Sequence, residues 1–249
     1  MVNDDATTYR ALAARANFLA QDRADVQFST KELCRLMAKP RGSSWLKLKR
    51  LARYLLDHPR LIWRFEQHGD DDTDKIDAYS DSDWAGCRTT RKSTSGGILV
   101  VAGGAVKSWS STQKTIARSS GEAEYYGLVK TCAEALGFQA VSRYFGWEME
   151  IRVWVDSTAA KGIACRTGLG KVRHLEVTYL WIQQALKDRK FTMHKIAGLV
   201  NPADVLTKPL SAADMKTKLA TVGGHIIERT KAKRVSWADV NDEDDELAG

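Results

Sequence analysis

Two aspartates stand at the ends of short apolar runs. Asp81 closes the stretch from Ile76 to Ser82, within Tyr79-Ser80-Asp81-Ser82-Asp83-Trp84, and Asp156 follows directly on Ile151-Arg152-Val153-Trp154-Val155. Carboxylates that emerge at the ends of central strands sit where mixed α/β sheets open a cleft. Hard divalent cations of the magnesium type take several carboxylate oxygens from different chain segments. Two such ions roughly 4 Å apart both activate a water and stabilise a leaving oxygen in phosphodiester hydrolysis. That is the chemistry this residue type suits at these places.

A third ligand has to be chosen between Glu122 and Glu124. Residues two apart on a helix point roughly 200° from one another, so both cannot face one site. Ser119-Ser120-Gly121-Glu122 has the spacing of a capping box, which gives Glu122 a structural task at the helix start. Glu124 shares a stripe with Leu128, Cys132 and Ala135. It is therefore expected to face the sheet, where an unpaired carboxylate is costly unless it binds a cation. Asp204, two residues past Pro202, lies in the first turn of a helix, and favourable placement on the helix dipole is a sufficient reason for it when taken alone.

The elements that must carry these residues can be read from pattern. Ile76 to Ser82 reads as a strand, and Gly97 to Val101 and Ala105 to Ser110 flank Ala102-Gly103-Gly104 as a hairpin. A long helix is expected from Ser119 to about Tyr144, a strand over 151–155, helices over 157–165 and 171–189, and a last strand over 191–196. Asn201-Pro202 then reads as N-cap and first position of a helix, where proline's missing N–H costs nothing. Three antiparallel strands followed by helix-linked strands imply a mixed sheet covered by helices. Upstream, residues 6–66 read as three helical segments and a short strand. Ser29-Thr30-Lys31-Glu32 is expected to open one helix by a capping box. From Ser43 to Leu56, Trp45, Leu48, Leu51, Ala52 and Leu55 form one stripe, with Lys47, Lys49, Arg50 and Arg53 largely outside it.

Of the 249 residues, 43% are hydrophobic and 28% charged, which excludes a mostly disordered chain. The formal charge is +7, yet residues 239–249 hold six acids and no base, which leaves +13 on the first 238 residues. Such a surplus favours a polyanionic partner, whose counterions the lysines and arginines replace. Cys34, Cys87, Cys132 and Cys165 are scattered, without a paired spacing that signals zinc or a disulfide framework. No apolar run reaches the roughly 20 residues of a membrane helix, and the N-terminus lacks a signal-peptide core, so an intracellular location, cytoplasmic or nuclear, is expected.

Five blocks carry a resemblance. Tyr79-Ser-Asp-Ser-Asp-Trp-Ala-Gly86, Arg91-Lys-Ser-Thr-Ser-Gly96, Ser119-Ser-Gly-Glu-Ala-Glu-Tyr125, Val155-Asp156-Ser157 and Asn201-Pro-Ala-Asp-Val-Leu-Thr-Lys-Pro-Leu210 resemble, in this order, the ribonuclease H domain of copia-type LTR retrotransposon Pol polyproteins. Residues 9–66 resemble the segment that joins reverse transcriptase to that domain. The resemblance implies an α/β ribonuclease H-like fold with a five-stranded mixed sheet flanked by helices and a small helical N-terminal appendage. The expected divisions are 1–68, 75–218 and a charged tail over 225–249. It also implies a metal site of Asp81, Glu124, Asp156 and Asp204, two Mg2+ ions with Mn2+ as an alternative, and cleavage of the RNA strand of RNA/DNA hybrids. A reverse transcriptase polymerase domain is an implied partner. Ser119 falls where a small hydroxyl residue contacts a DNA phosphate in that fold, in competition with capping; on charge alone Arg118, Lys92, Arg166, Lys171 and Arg173 are further backbone contacts.

Two departures qualify the resemblance. The loop before the last aspartate is Ala197-Gly-Leu-Val-Asn201 and lacks the histidine that many cellular ribonucleases H place there; His194 and His174 read as surface residues. The chain also has no Tyr-x-Asp-Asp polymerase motif, so it is expected to be a fragment or a separately encoded remnant of a polyprotein. A catalytically degenerate or domesticated nucleic-acid-binding module is the alternative, and a strand-transferring integrase or transposase on the same fold a third.

Overall fold

In the computed structural model, residues 2–65, 74–168 and 179–229 are described. A five-stranded sheet is formed by β2 (Lys75–Ser82), β3 (Thr94–Val101), β4 (Gly104–Thr112), β5 (Glu150–Val155) and β6 (Thr192–Lys195), in the order β4-β3-β2-β5-β6. The β2–β3 and β3–β4 pairs are antiparallel, whereas β2–β5 and β5–β6 are parallel. This is the five-stranded mixed sheet expected from the sequence. The β3–β4 hairpin turns through Ala102 and Gly103, both at positive φ (49° and 73°), the geometry that matches the twist of the flanking strands.

Alternation assigns the two faces of the sheet. Ile76 and Ala78 of β2 stand opposite Ile151 and Val153 of β5, all buried, and pack beneath Ala123, Leu128, Cys132 and Ala135 of the long helix α4 (Ser120–Tyr144). On the other face Ile98 and Val100 of β3 meet Val205, Leu206, Leu219 and Val222. Helix α5 (Thr158–Cys165) begins at Ser157, whose hydroxyl accepts from the Ala160 N–H at 3.1 Å, and α6 spans Trp181–Lys187. Residues 171–178 of the helix expected over 171–189 lie outside the described residues.

The N-terminal helices α1 (Val2–Leu19), α2 (Ala24–Cys34) and α3 (Gly42–Asp57) share a core of Tyr9, Ala13, Val26, Leu33, Leu48 and Leu51. As expected, Lys47, Lys49, Arg50 and Arg53 are exposed on α3, but so is Ala52. Helix α2 also seats on the sheet, with Gln27 Nε2 donating to Ser108 Oγ at 2.9 Å and Lys31 Nζ to Thr94 Oγ1 at 2.7 Å. Ser29 to Glu32 lies inside α2 and does not open it. The helix starts after Arg23, whose guanidinium pairs with buried Asp25 at 2.7 Å and donates to the carbonyl of His58 at 2.9 Å. A second difference concerns the tail expected from residue 225: Gly224–Ile227 forms strand β7, paired antiparallel with β1 (Arg60–Trp63), after α7 (Ala212–Ala220). Residues 230–249 lie outside the described residues. No described helix is long and apolar enough to cross a membrane.

Candidate metal centre

The parallel pairing of β2 with β5 sets the site. Ser80 lies opposite Val155, so the next residue on each strand, Asp81 and Asp156, emerges at one edge of the sheet. Glu124 comes down from the first turns of α4. That helix approaches closely because Gly127 has no side chain: a Cβ there would lie 3.2 Å from the Asp81 carbonyl oxygen. One carboxylate oxygen each from Asp81, Glu124 and Asp156 lies within 4.8 Å of the others. These three can hold a metal ion, and a set of oxygens from three separate elements fits a hard divalent cation.

Electrostatics agree with a site built around positive charge. Burial, then Asp81, Asp156 and Asp204, pushes the Glu124 carboxyl up to about 9. Burial and Asp204 also push Asp81 upward, against the Thr207 hydroxyl, which donates to Asp81 Oδ2. Asp81 is 4% exposed. Crowded carboxylates of this kind hold protons, or a cation that replaces them. Lys195 Nζ donates to the Asp156 carbonyl and, at 3.1 Å, to Thr158 Oγ1, which fixes the backbone from which Asp156 projects.

Asp204 reaches the same edge by another route. Asn201 caps a 3₁₀ helix, Pro202–Leu206, by accepting from the Ala203 N–H at 3.1 Å, and its Nδ2 donates to the Ser80 carbonyl at 3.0 Å. The 3₁₀ helix lies against β3 because Gly96 leaves room; a Cβ there would fall 2.7 Å from both Leu206 Cβ and Thr207 Cγ2. Asp204 is buried and close enough to raise Asp81, but it is not in the 4.8 Å group. Its oxygens are engaged by lysines: Oδ1 by Lys208 Nζ at 2.9 Å and Oδ2 by Lys218 Nζ at 3.0 Å. For Lys208, the lowering effect of burial is outweighed by Asp204, Asp81 and Asp156, so its pKa is raised.

Glu122 has the structural task its spacing implied, in a modified form. Its N–H donates to Ser119 Oγ at 3.2 Å, but its carboxylate accepts from the Arg118 N–H at 2.9 Å, one residue before the cap, and from the Tyr126 hydroxyl at 2.7 Å. Ser119 is thus the N-cap of α4; it is exposed, as is Arg118, and Lys92 and Arg166 are half-buried. Lys171, Arg173 and His174 lie outside the described residues. His194 packs its ring on Trp154 at 4.7 Å and meets Thr192 Oγ1 at 2.9 Å. Sequence reading passed over Thr207, Lys208 and Lys218. The first two sit in the Asn201–Leu210 block, whereas nothing local marks Lys218.

No family model matches the chain. The Pol polyprotein of transposon RE2 from Arabidopsis thaliana is 30% identical over 215 residues, which cover 83% of this chain and 14% of that protein. The Pol polyprotein of transposon TNT 1-94 from Nicotiana tabacum is 29% identical over 205 residues, 82% of this chain and 15% of that protein. Copia-type retrotransposon Pol polyproteins are thus among the relatives of this chain. The chain spans about one-seventh of the length of these Pol relatives. Among solved structures, the N-terminal RNase H domain of a Mycobacterium tuberculosis protein aligns with a TM-score of 0.39 at 20% identity, over 59% of this chain and 97% of that one. In this chain the five sequence blocks fall at one sheet edge and its supports: Asp81, Glu124 and Asp156 at the centre, Gly96 under the 3₁₀ helix, and Asn201 tied to β2.

Proposed function

We propose that this chain is a metal-dependent ribonuclease H that hydrolyses the RNA strand of RNA/DNA hybrids. The observation that carries the reading is the convergence of Asp81, Glu124 and Asp156, from β2, α4 and the end of β5, within 4.8 Å. Asp81, Glu124, Asp156 and Asp204 are the residues to hold two Mg2+ ions, or Mn2+ in their place. When bound, such ions lower the pKa of an attacking water and offset charge on the leaving oxygen. Asp81 and Asp156 form the shared floor of the site. Glu124 serves the leaving-group side, and Asp204, coming from the 3₁₀ helix, the water side. Thr207 keeps the Asp81 carboxylate aimed into the cleft.

The hybrid is read through its backbone. Arg118 and Ser119 at the start of α4, with Lys92, Arg166, Lys171 and Arg173, are the contacts proposed for it, and the +7 formal charge supports a polyanionic substrate. Telling a hybrid from a duplex requires 2′-hydroxyls on one strand and a DNA backbone on the other. Residues 1–68 are proposed as the connection to a reverse transcriptase polymerase domain, 75–218 as the nuclease, and an intracellular compartment as its place of action.

The test is cleavage of labelled RNA annealed to DNA, with Mg2+, by the chain and by Asp156→Asn and Glu124→Gln. Cleavage that needs both acids and the metal supports the reading. Hybrid binding without cleavage above the two variants would replace it with a binding module.

A further inference from the structure

The two lysines on Asp204 are differently held. The Lys218 side chain is 8% exposed and, besides Asp204 Oδ2, its Nζ donates to the carbonyls of Gly198 at 2.8 Å, Leu199 at 2.7 Å and Asn201 at 3.4 Å. An ammonium has three donors and no acceptor, which the Gly198 and Leu199 carbonyls and Asp204 can take up, with the Asn201 carbonyl further off, and burial makes its removal costly. These contacts also tie the loop to α7 beside the centre: a Cβ on Gly198 would lie 3.2 Å from Asp156 Oδ2. The Lys208 side chain, by contrast, is 47% exposed, and among the described residues its carboxylate contact is to Asp204 Oδ1. Its amine already meets water, so it can turn from Asp204, whose buried carboxylate keeps Lys218.

We infer that Lys208 is a displaceable counter-cation that occupies the Asp204 oxygen a metal ion takes, while Lys218 is the fixed cation that aims Asp204 and the Gly198–Asn201 loop. Without metal, Lys208 offsets the repulsion among Asp81, Glu124, Asp156 and Asp204. With metal, its amine turns to solvent, or to a phosphate of the substrate, and Lys218 stays. Both are positioning residues acting through Asp204, and the inference rests on the reading of Asp204 as a ligand.

Calorimetric titration of Mg2+ into the chain, Lys208→Met, Lys218→Met and Asp204→Asn separates the possibilities. Lys208→Met is expected to tighten Mg2+ binding by about three- to tenfold, because a competing charge leaves. Lys218→Met is expected to weaken it by a similar factor. In the unaltered chain, amine labelling read by mass spectrometry is expected to speed up at Lys208 when Mg2+ is added and to leave Lys218 protected; this holds as a test even if Lys218→Met does not fold. If Asp204→Asn leaves Mg2+ binding unchanged, Asp204 is not a ligand and that assignment falls first. If Asp204→Asn weakens binding while Lys208→Met does not tighten it, or Mg2+ leaves Lys208 labelling unchanged, the counter-cation inference is wrong by itself.

Discussion

Glu122 and Glu124 stand two positions apart on α4 and do different work. The Glu122 carboxylate is spent on the Arg118 N–H and the Tyr126 hydroxyl, while a Glu124 oxygen lies within 4.8 Å of those of Asp81 and Asp156. Replacing each by glutamine should therefore give opposite results. Glu122→Gln, at a site only 2% exposed, is expected to cost about 1–3 kcal/mol of stability, because charge-assisted bonds weaken, and to spare cleavage. Glu124→Gln should lower cleavage at least about 100-fold, beyond the loss of a supporting contact, and leave the metal-free fold intact. Thermal melts and single-turnover cleavage of both variants decide it; equal inactivation would undo the assignment.

The raised carboxyl of Glu124 gives a pH dependence with a definite sign. Its folded pKa of about 9 lies above the ordinary value of 4.5. The stability its proton contributes is thus complete below the unfolded value and is lost as pH rises through the folded one. In EDTA the unaltered chain should lose more thermal stability between about pH 5 and pH 9 than Glu124→Gln does. The expected difference is on the order of 1–2 kcal/mol, or about 2–8 °C. Mg2+ should shrink that difference and, near pH 7, release about one proton on binding, readable by calorimetry in buffers of different ionisation enthalpy. Parallel curves for the two proteins would contradict the burial and crowding described for Glu124.

Thr207 is fully buried and its hydroxyl donates to Asp81 Oδ2. Thr207→Val keeps the shape and removes the donor. Mg2+ binding is expected to weaken about tenfold, and stability to fall by about 1–3 kcal/mol. Thr207→Ser should recover most of the affinity. Loss of stability alone, with unchanged Mg2+ affinity, would make Thr207 a packing residue only.

Gly96 tests how the 3₁₀ helix is seated. A methyl group there meets Leu206 Cβ and Thr207 Cγ2 at 2.7 Å and the Ala203 carbonyl oxygen at 3.1 Å, so the segment bearing Asp204 must shift. Gly96→Ala should cost about 1–3 kcal/mol and reduce cleavage. Gly137→Ala, on α4 with nothing within 4 Å of the new methyl, should be neutral or gain up to about 1 kcal/mol. Equal melting temperatures for the two variants would refute the close packing.

What sequence reading captured has local causes. Alternation in 76–82 and 151–155, the serines before α4 and α5, and Asn201-Pro202 each mark an element by interactions a few residues long, and all five strands of the sheet were found. That Glu124 rather than Glu122 meets Asp81 and Asp156 has the same cause, since helical period and cap spacing are local. Strand β7 was missed because Gly-His-Ile-Ile has no pattern of its own; its register comes from β1, more than 160 residues earlier. Ser29 to Glu32 misled because a capping pattern in a helix interior looks the same as one at its start, and α2 begins instead at the Arg23–Asp25 pair. Lys218 was invisible in sequence since its four oxygen partners are assembled by tertiary packing.

The central proposal is that Asp81, Glu124 and Asp156 hold metal for hydrolysis of RNA in a hybrid, and the most direct measurement is the identity of the strand cut and of the ends produced. With each strand of an RNA/DNA hybrid end-labelled in turn and Mg2+ present, cutting is expected in the RNA alone. The products should carry 5′-phosphate and 3′-hydroxyl ends from attack by water, and Asp156→Asn should yield none. Cutting of the DNA strand, 2′,3′-cyclic phosphate ends, or undiminished cleavage by Asp156→Asn would contradict it.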